Sequence, residues 1–283
     1  MSEDTQVYST VARHTVQGIQ KKCPHTLPVC HEIILMNSVS GKPLEIPEND
    51  IDILITFGTK AASDRIAKAF THDIILAMIP RQGRLATGDH LASEKVTKIY
   101  IDQPYARYFS LIKAVLPRAM RIGVLLHAAD AHRIEALQDA ANSAGLMLKT
   151  GLVESSNEIG ESLSHLLGGI DTLLALPDSR IHNSKTISNI LTTSYRNHIP
   201  VIAFSSAYVK AGATAAVYTS LADIADQVSD IAVEILAEGE TRTRDLPAKY
   251  FSVSLNFEVS RSLGISATSP SEIIESMNQE LSE

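Results

Sequence analysis

Short apolar runs and stretches with apolar residues every three or four positions take turns along nearly the whole chain. The runs predict buried strands and the spaced stretches predict amphipathic helices. Asp171 to Ser220 is the clearest passage. Thr172–Leu176 is an apolar run that stops at Pro177, Asp178 and Ser179. From about Ser184 a helical pattern follows, carried by Ile187, Ile190, Leu191 and Tyr195. A second run, Val201–Phe204, begins directly after Pro200 and ends at Ser205 and Ser206. Strand, loop, helix and strand make the βαβ unit of a parallel sheet. Ligands of open α/β sheets bind outside the carboxyl ends of the strands, which marks Asp178, Ser179, Ser205 and Ser206 as candidate binding residues.

Ahead of this passage the pattern predicts a helix over Val7–Lys22, a strand over His31–Asn37, turns over Ser38–Asp50 and a strand over Ile51–Phe57. Gly58, Thr59 and Lys60 lead straight into a helix, AASDRIAKAF. Strands are expected at Asp73–Ile79, Val96–Ile101, Ile122–Leu126 and Met147–Val153. Helices are expected at Tyr105–Val115, Ala129–Ala144 (with Gly145 beyond its end) and Glu158–Leu167. After the central passage comes a strand at Thr214–Tyr218. Ser220 then caps a long helix whose apolar positions Leu221, Ile224, Val228, Ile231, Ile235 and Leu236 fit a 3.6-residue period. A strand at Phe251–Leu255 and helical segments at Phe257–Leu263 and Ser271–Leu281 finish the chain.

This alternation predicts an α/β fold of parallel sheets with helices on both faces. The strands are too many for one small sheet, and the turn at Asp102–Pro104 separates two sets. Two doubly wound lobes are therefore expected, residues 1–102 with 219–248 and residues 103–218 with 249–283. No linker of flexible composition divides them, so short crossing segments should join them and allow hinge closure on a ligand.

Composition narrows the partners. At 283 residues and 45% apolar the chain has room for a sizeable core. The net charge of −7 is spread without a basic block, which disfavours nucleic acid. Aromatic residues are scarce and tryptophan is absent. No apolar run approaches the roughly 20 residues that span a bilayer, so direct membrane insertion is not expected. The first residues, MSEDTQVYST, are polar and acidic, unlike a secretory signal.

The only cysteines, Cys23 and Cys30, lie in CPHTLPVCH beside His25 and His31. That spacing fits no standard zinc pattern, and unpaired structural cysteines are the expectation, with a disulfide or a metal as alternatives. No metal and no cofactor is expected. The chain lacks a GxSxG elbow, a phosphate loop, HExxH and GxGxxG, so no catalytic residue is assigned.

The runs GTKAA, IYIDQPYAR with LPRAMRIGVLL, LALPDS, PVIAFSSAYVKAG and SVSLNFEVSRSLGI together resemble one family. It is the substrate-binding component of ABC transporters with the type I periplasmic binding protein fold, and within it the subfamily that includes tryptophan- and other amino-acid-binding proteins. The resemblance covers roughly residues 5 to 265. It implies two Rossmann-like lobes joined by a hinge of three crossing strands, a small molecule in the cleft, a membrane permease as partner and a periplasmic or extracytoplasmic location. It also implies a leader and a first strand ahead of the segment that SEDTQVY matches, and a first loop of the ligand site around Ser2 to Tyr8. A ligand-sensing module and an α/β enzyme are the alternative readings.

Specific roles follow for the candidates. Gly58, Thr59, Lys60 and Ala61 place a helix start at a strand end, where free N–H groups and the helix dipole favour a carboxylate. The alternative is a plain N-cap with Lys60 in solvent. Asp178 reads as a turn former or cap, while the resemblance implies an acidic contact to a ligand ammonium. Ser205, Ser206 and Tyr208 either cap a short helix or wall the site, with Tyr208 offering a ring face. His127 and Asp130 are weaker candidates of the same kind.

Overall fold

The central strands in this chain are short and apolar because they are covered on both faces, and the helices are amphipathic because each covers one face. The computed structural model describes residues 5–23, 51–66, 72–81, 95–238, 243–266 and 268–281. In chain order the first elements are α1 (Thr5–Lys22), β1 (Ile53–Phe57), α2 (Thr59–Ile66), β2 (Asp73–Ile79) and β3 (Val96–Tyr100). Then come α3 (Tyr105–Val115), β4 (Arg121–His127), a 3₁₀ segment (Ala128–Arg133), α4 (Ile134–Ser143), β5 (Met147–Val153) and α5 (Ile159–Leu167). The βαβ passage supplies β6 (Thr172–Leu174), α6 (Ile187–Arg196), β7 (Val201–Ala203), α7 (Ser206–Ala211) and β8 (Ala215–Tyr218). Last are α8 (Leu221–Glu238), β9 (Arg244–Leu246), β10 (Ser252–Leu255), α9 (Phe257–Ser262) and α10 (Pro270–Glu280). The strand expected at His31–Asn37, the turns at Ser38–Asp50 and the end of the AASDRIAKAF helix lie outside the described residues.

The chain divides into two compact units, Met1–Asp102 with Thr219–Phe251, and Gln103–Tyr218 with Ser252–Glu283. In the first, the strands run in the order β1-β2-β3-β9, all parallel. The two-residue period of β2 sends Ile75 and Ala77 to one face, where they meet Val11 and Ile19 of α1 and Ile224, Val228 and Ile235 of α8. It sends Ile74 and Leu76 to the other, against Ala62 of α2. α1 packs closely on α8: a Cβ at Gly18 would lie 2.6 Å from the Ser229 hydroxyl, so glycine is what the crossing requires.

In the second unit the order is β10-β8-β7-β6-β4-β5. Leu125, Leu173, Ala175, Val201, Ala203 and Ala216 form one core face with Leu163, Leu166 and Leu167 of α5 and Ile190 of α6. Here β10 departs from the parallel expectation by pairing antiparallel with β8. An antiparallel edge strand on an otherwise parallel sheet is a common arrangement where the chain returns from elsewhere. β9 (RDL) was not predicted, because an edge strand admits charges that hide its apolar pattern. The expected helix over Ala129–Ala144 begins instead as a 3₁₀ turn, and α6 starts at Ile187 after an irregular segment.

Cys23 is disulfide-bonded, and no described cysteine is free. This corrects the expectation of unpaired structural cysteines. A short Pro-containing connection between Cys23 and Cys30 carried no signal that separates a thiol from a bridge.

Candidate functional site

The carboxyl ends of β4, β6 and β7 in the second unit carry a connected set of polar side chains. Asp178 follows β6 through Ala175, Leu176 and Pro177, and its carboxylate is only 8% exposed. The Arg180 backbone N–H donates to Asp178 Oδ1 at 2.9 Å, Arg180 Nε to the same oxygen at 2.9 Å, and Nη2 to Oδ2 at 2.8 Å. Nη2 also donates to Asp130 Oδ2 at 2.5 Å. Asp130 lies 3.6 Å from Arg133 Nη1, and Arg133 Nε donates to the Tyr105 hydroxyl at 2.9 Å. Burial pushes the Asp178 carboxyl up, but the Arg180 guanidinium and N–H more than offset this, so it lies below the usual range.

His127 ends β4 and accepts the Ala129 N–H on Nδ1 at 3.1 Å, which leaves its ring proton on Nε2.

Beside this network sits an aromatic cluster. The buried His182 ring shares a 2.9 Å hydrogen bond with the Tyr208 hydroxyl. His182, Phe204 and Tyr208 meet with ring centroids 5.5–5.8 Å apart in tilted and edge-on arrangements. Burial lowers the His182 pKa to about 4, so the ring is neutral near pH 7, and burial raises that of Tyr208.

In the first unit, the turn after β1 is built by backbone. Gly58 adopts φ +90°, and its N–H donates to the Ala77 carbonyl at 2.9 Å. The Tyr8 ring closes over it, since a Cβ at Gly58 would lie 2.8 Å from the ring carbons. One residue on, Met78 has φ +57° where the pairing of β2 with β3 shifts register. A left-handed non-glycine residue at a bulge is stored strain, and such strain gathers at ligand sites. Thr59 opens α2 half-buried, Lys60 is exposed and Ala61 is half-buried.

The sequence candidates therefore fall into two groups. Gly58, Thr59, Lys60 and Ala61 lie at the end of β1. His127, Asp178, Ser179, Ser205, Ser206 and Tyr208 gather at the strand ends of the second unit. Ser205 caps α7, accepting the Tyr208 N–H at 3.2 Å, and Ser206 begins that helix. Ser179 is exposed and its carbonyl accepts from Asn183. Tyr208 offers no open ring face: it is 2% exposed and packs in the core. Its hydroxyl turns to His182 because burying it otherwise would orphan the donor. Arg180, Arg133, His182 and Phe204 were missed. Arg180 stands two residues after Asp178, a spacing that permits an ion pair but does not announce one.

A family model described as ABC transporter substrate-binding protein matches residues 42–273. A tyrosine-binding protein of Clostridioides difficile strain R20291 is 23% identical over 242 residues, 82% of this chain and 64% of that protein. The match thus spans less than two thirds of the relative's length. A ligand-free, open substrate-binding protein with adhesive properties from Clostridium difficile superposes with a TM-score of 0.69 at 18% identity, covering 93% of this chain and 92% of that one. An ABC domain in complex with L-Trp from Streptococcus pneumoniae gives 0.56 at 21% identity, covering 81% and 78%. At such identities the likeness establishes the fold, an α/β fold of the type I periplasmic binding protein kind.

Proposed function

The chain belongs to the family of ABC transporter substrate-binding proteins, and we propose that it captures an amino acid or related zwitterion outside the cytoplasm and delivers it to a membrane permease. Proteins of this family bind their substrates and are not enzymes. The observation that carries the ligand class is the alternation of Asp178, Arg180, Asp130 and Arg133 at the strand ends of the second unit. Such a set offers both signs of charge within one small site, as a zwitterion requires. The relative named for tyrosine and the neighbour holding L-Trp point the same way.

Within the first unit, Thr59 and the start of α2 offer N–H donors and a hydroxyl of their own. The family is extracytoplasmic, and no helix among the described residues is long and apolar enough to cross a membrane. The disulfide at Cys23 suits an oxidising compartment.

Calorimetric titration with the amino acids tests the reading. One of them should bind with a defined stoichiometry and be recovered chemically unchanged after long incubation, as read by mass spectrometry. Turnover that scales with protein concentration, or binding only of uncharged solutes, would overturn it.

A further inference from the structure

The sheet of the second unit ends at β5, which pairs on one side only, with β4, among the described residues. A sheet edge offers unpaired N–H and C=O groups, and proteins commonly blunt it by shortness, charge, proline or a bulge. β9 has three residues, among them Arg244 and Asp245, and β10 has four. β5 is different. It runs for seven residues, MLKTGLV, without proline and in unbroken register with β4. Its one charged side chain, Lys149, is tied back, since Nζ donates to the His165 carbonyl at 3.3 Å. Three of the seven large apolar side chains exposed among the described residues lie here: Met147 at 56%, Met120 at 48% and Leu152 at 44%.

The backbone sets which residues of β5 face outward. Met147 donates its N–H to the Met120 carbonyl at 2.8 Å, toward β4. Backbone groups of alternate residues point to opposite sides of a strand, so Leu148, Thr150 and Leu152 turn theirs to the open edge. Two side-chain bonds agree with this. The Leu152 carbonyl accepts from the Ser162 hydroxyl at 3.2 Å, and the Glu154 N–H donates to the Glu158 carboxylate at 2.9 Å. The edge is therefore capped at its carboxyl end and open over Leu148 and Thr150 among the described residues.

The strand also reads alike in both directions about Thr150. Met147 and Leu148 stand at one end and Leu152 and Val153 at the other, with Lys149 and Gly151 inside. A twofold axis at Thr150 would set it against the partner's Thr150, Leu148 against the partner's Leu152, and Met147 against the partner's Val153. The outward residues then become the hydrogen-bonded pairs. Threonine and apolar cross-strand pairs are favourable, and Lys149 meets the partner's Gly151, so no like charges stand opposite. An axis at Lys149 would oppose two lysines, and one at Gly151 would need the Glu154 N–H, which is taken. Symmetry of this kind suits a copy of the same strand and no other partner.

We propose that β5 is a self-association edge, through which two copies of the chain pair antiparallel and join their second sheets into one. Each of the three facing pairs exchanges two backbone hydrogen bonds. Met120, Met147 and Leu152 lose water at the same contact. Helix α5 covers the Gly151 face of β5 and comes alongside its copy, which widens the interface. None of these residues belongs to the candidate binding set, so the inference stands or falls apart from the functional reading.

Sedimentation velocity of the full chain over a wide range of concentrations tests it, and the unaltered chain should pass from monomer to dimer. Thr150→Pro removes an outward N–H and spares the pairing with β4, so its unfolding midpoint should hold. Its dimer should weaken by about tenfold or more, because two hydrogen bonds are lost at once. Leu152→Lys should weaken the dimer as well by placing a charge at the apolar contact, and it carries the test if Thr150→Pro lowers the midpoint. Under oxidation Thr150→Cys should give a covalent dimer, since facing Cα atoms of a hydrogen-bonded pair stand about 5.5 Å apart. Lys149→Cys should not, because its copies lie on a diagonal about 7–8 Å apart.

A chain that stays monomeric at every concentration overturns the inference and leaves the edge to an extended segment of another protein. A dimer that Thr150→Pro and Leu152→Lys leave unchanged, or that Lys149→Cys links as readily as Thr150→Cys, overturns it too, since that dimer uses another surface or register.

Discussion

At the end of β1 the groups on offer belong to the backbone and one hydroxyl, whereas at the ends of β4 and β6 they are charged side chains already paired with one another. The first arrangement depends on conformation. Gly58 must hold a positive φ, Met78 is held at φ +57° beside it, and the Tyr8 ring fills the space a side chain would need. The second depends on charge. Removing any one of Asp130, Asp178 or Arg180 leaves the others short of a partner. Backbone sites should thus be insensitive to most side-chain changes and fragile at one or two positions, while the ion network should respond to pH and to every member.

The largest expected effect is the response of the second unit to acid. His182 titrates at about 4 in the fold and near 6.5 when unfolded, so between those values the unfolded state binds the extra proton. Stability should therefore fall as pH drops from 6.5 to 4, by about 3 kcal/mol at about 1.4 kcal/mol per unit. Urea melts across this range measure it. His182→Gln cannot titrate and should flatten that part of the slope; an unchanged slope would remove His182 from the account. The lowered Asp178 carboxyl adds stability above its unfolded pKa, lost as pH falls through its folded one, in the same direction but at more acid pH.

Gly58→Ala comes next. The left-handed conformation and the clash with Tyr8 should together destabilise the chain by about 2 kcal/mol, with part of the loss relieved in a Tyr8→Ala background. Additive losses in the double variant would mean that the Tyr8 ring does not set the constraint.

How legible this was in the sequence differs between the same two regions. Periodicity marked β2 and β8 nearly to the residue, because their apolar runs are buried on both sides. It also marked the strand ends, and with them Gly58, Asp178 and Ser205. It could not show which of those residues were already engaged. Arg180 reaches an aspartate 50 residues away in sequence, and His182 finds Tyr208 across 26. Pairings of that span are set by the packing of β4, β6 and β7 and leave no local pattern. β9 was hidden for a related reason: an edge strand carries the polar residues that periodicity reads as loop.

The smallest expected effect is at Lys60. Its side chain is exposed, and the N–H groups at the start of α2 persist without it. Lys60→Met should change ligand affinity by well under about tenfold, because a screened surface charge contributes about 0–1 kcal/mol. A larger loss by calorimetry would move the first unit from a backbone site to a charged one.

The comparison is tested most directly by a crystal structure of the chain with a bound amino acid. The account predicts a charged group of the ligand within about 3 Å of Asp178 or Arg180 in the second unit. A ligand bound with neither Asp178 nor Arg180 within reach would contradict it.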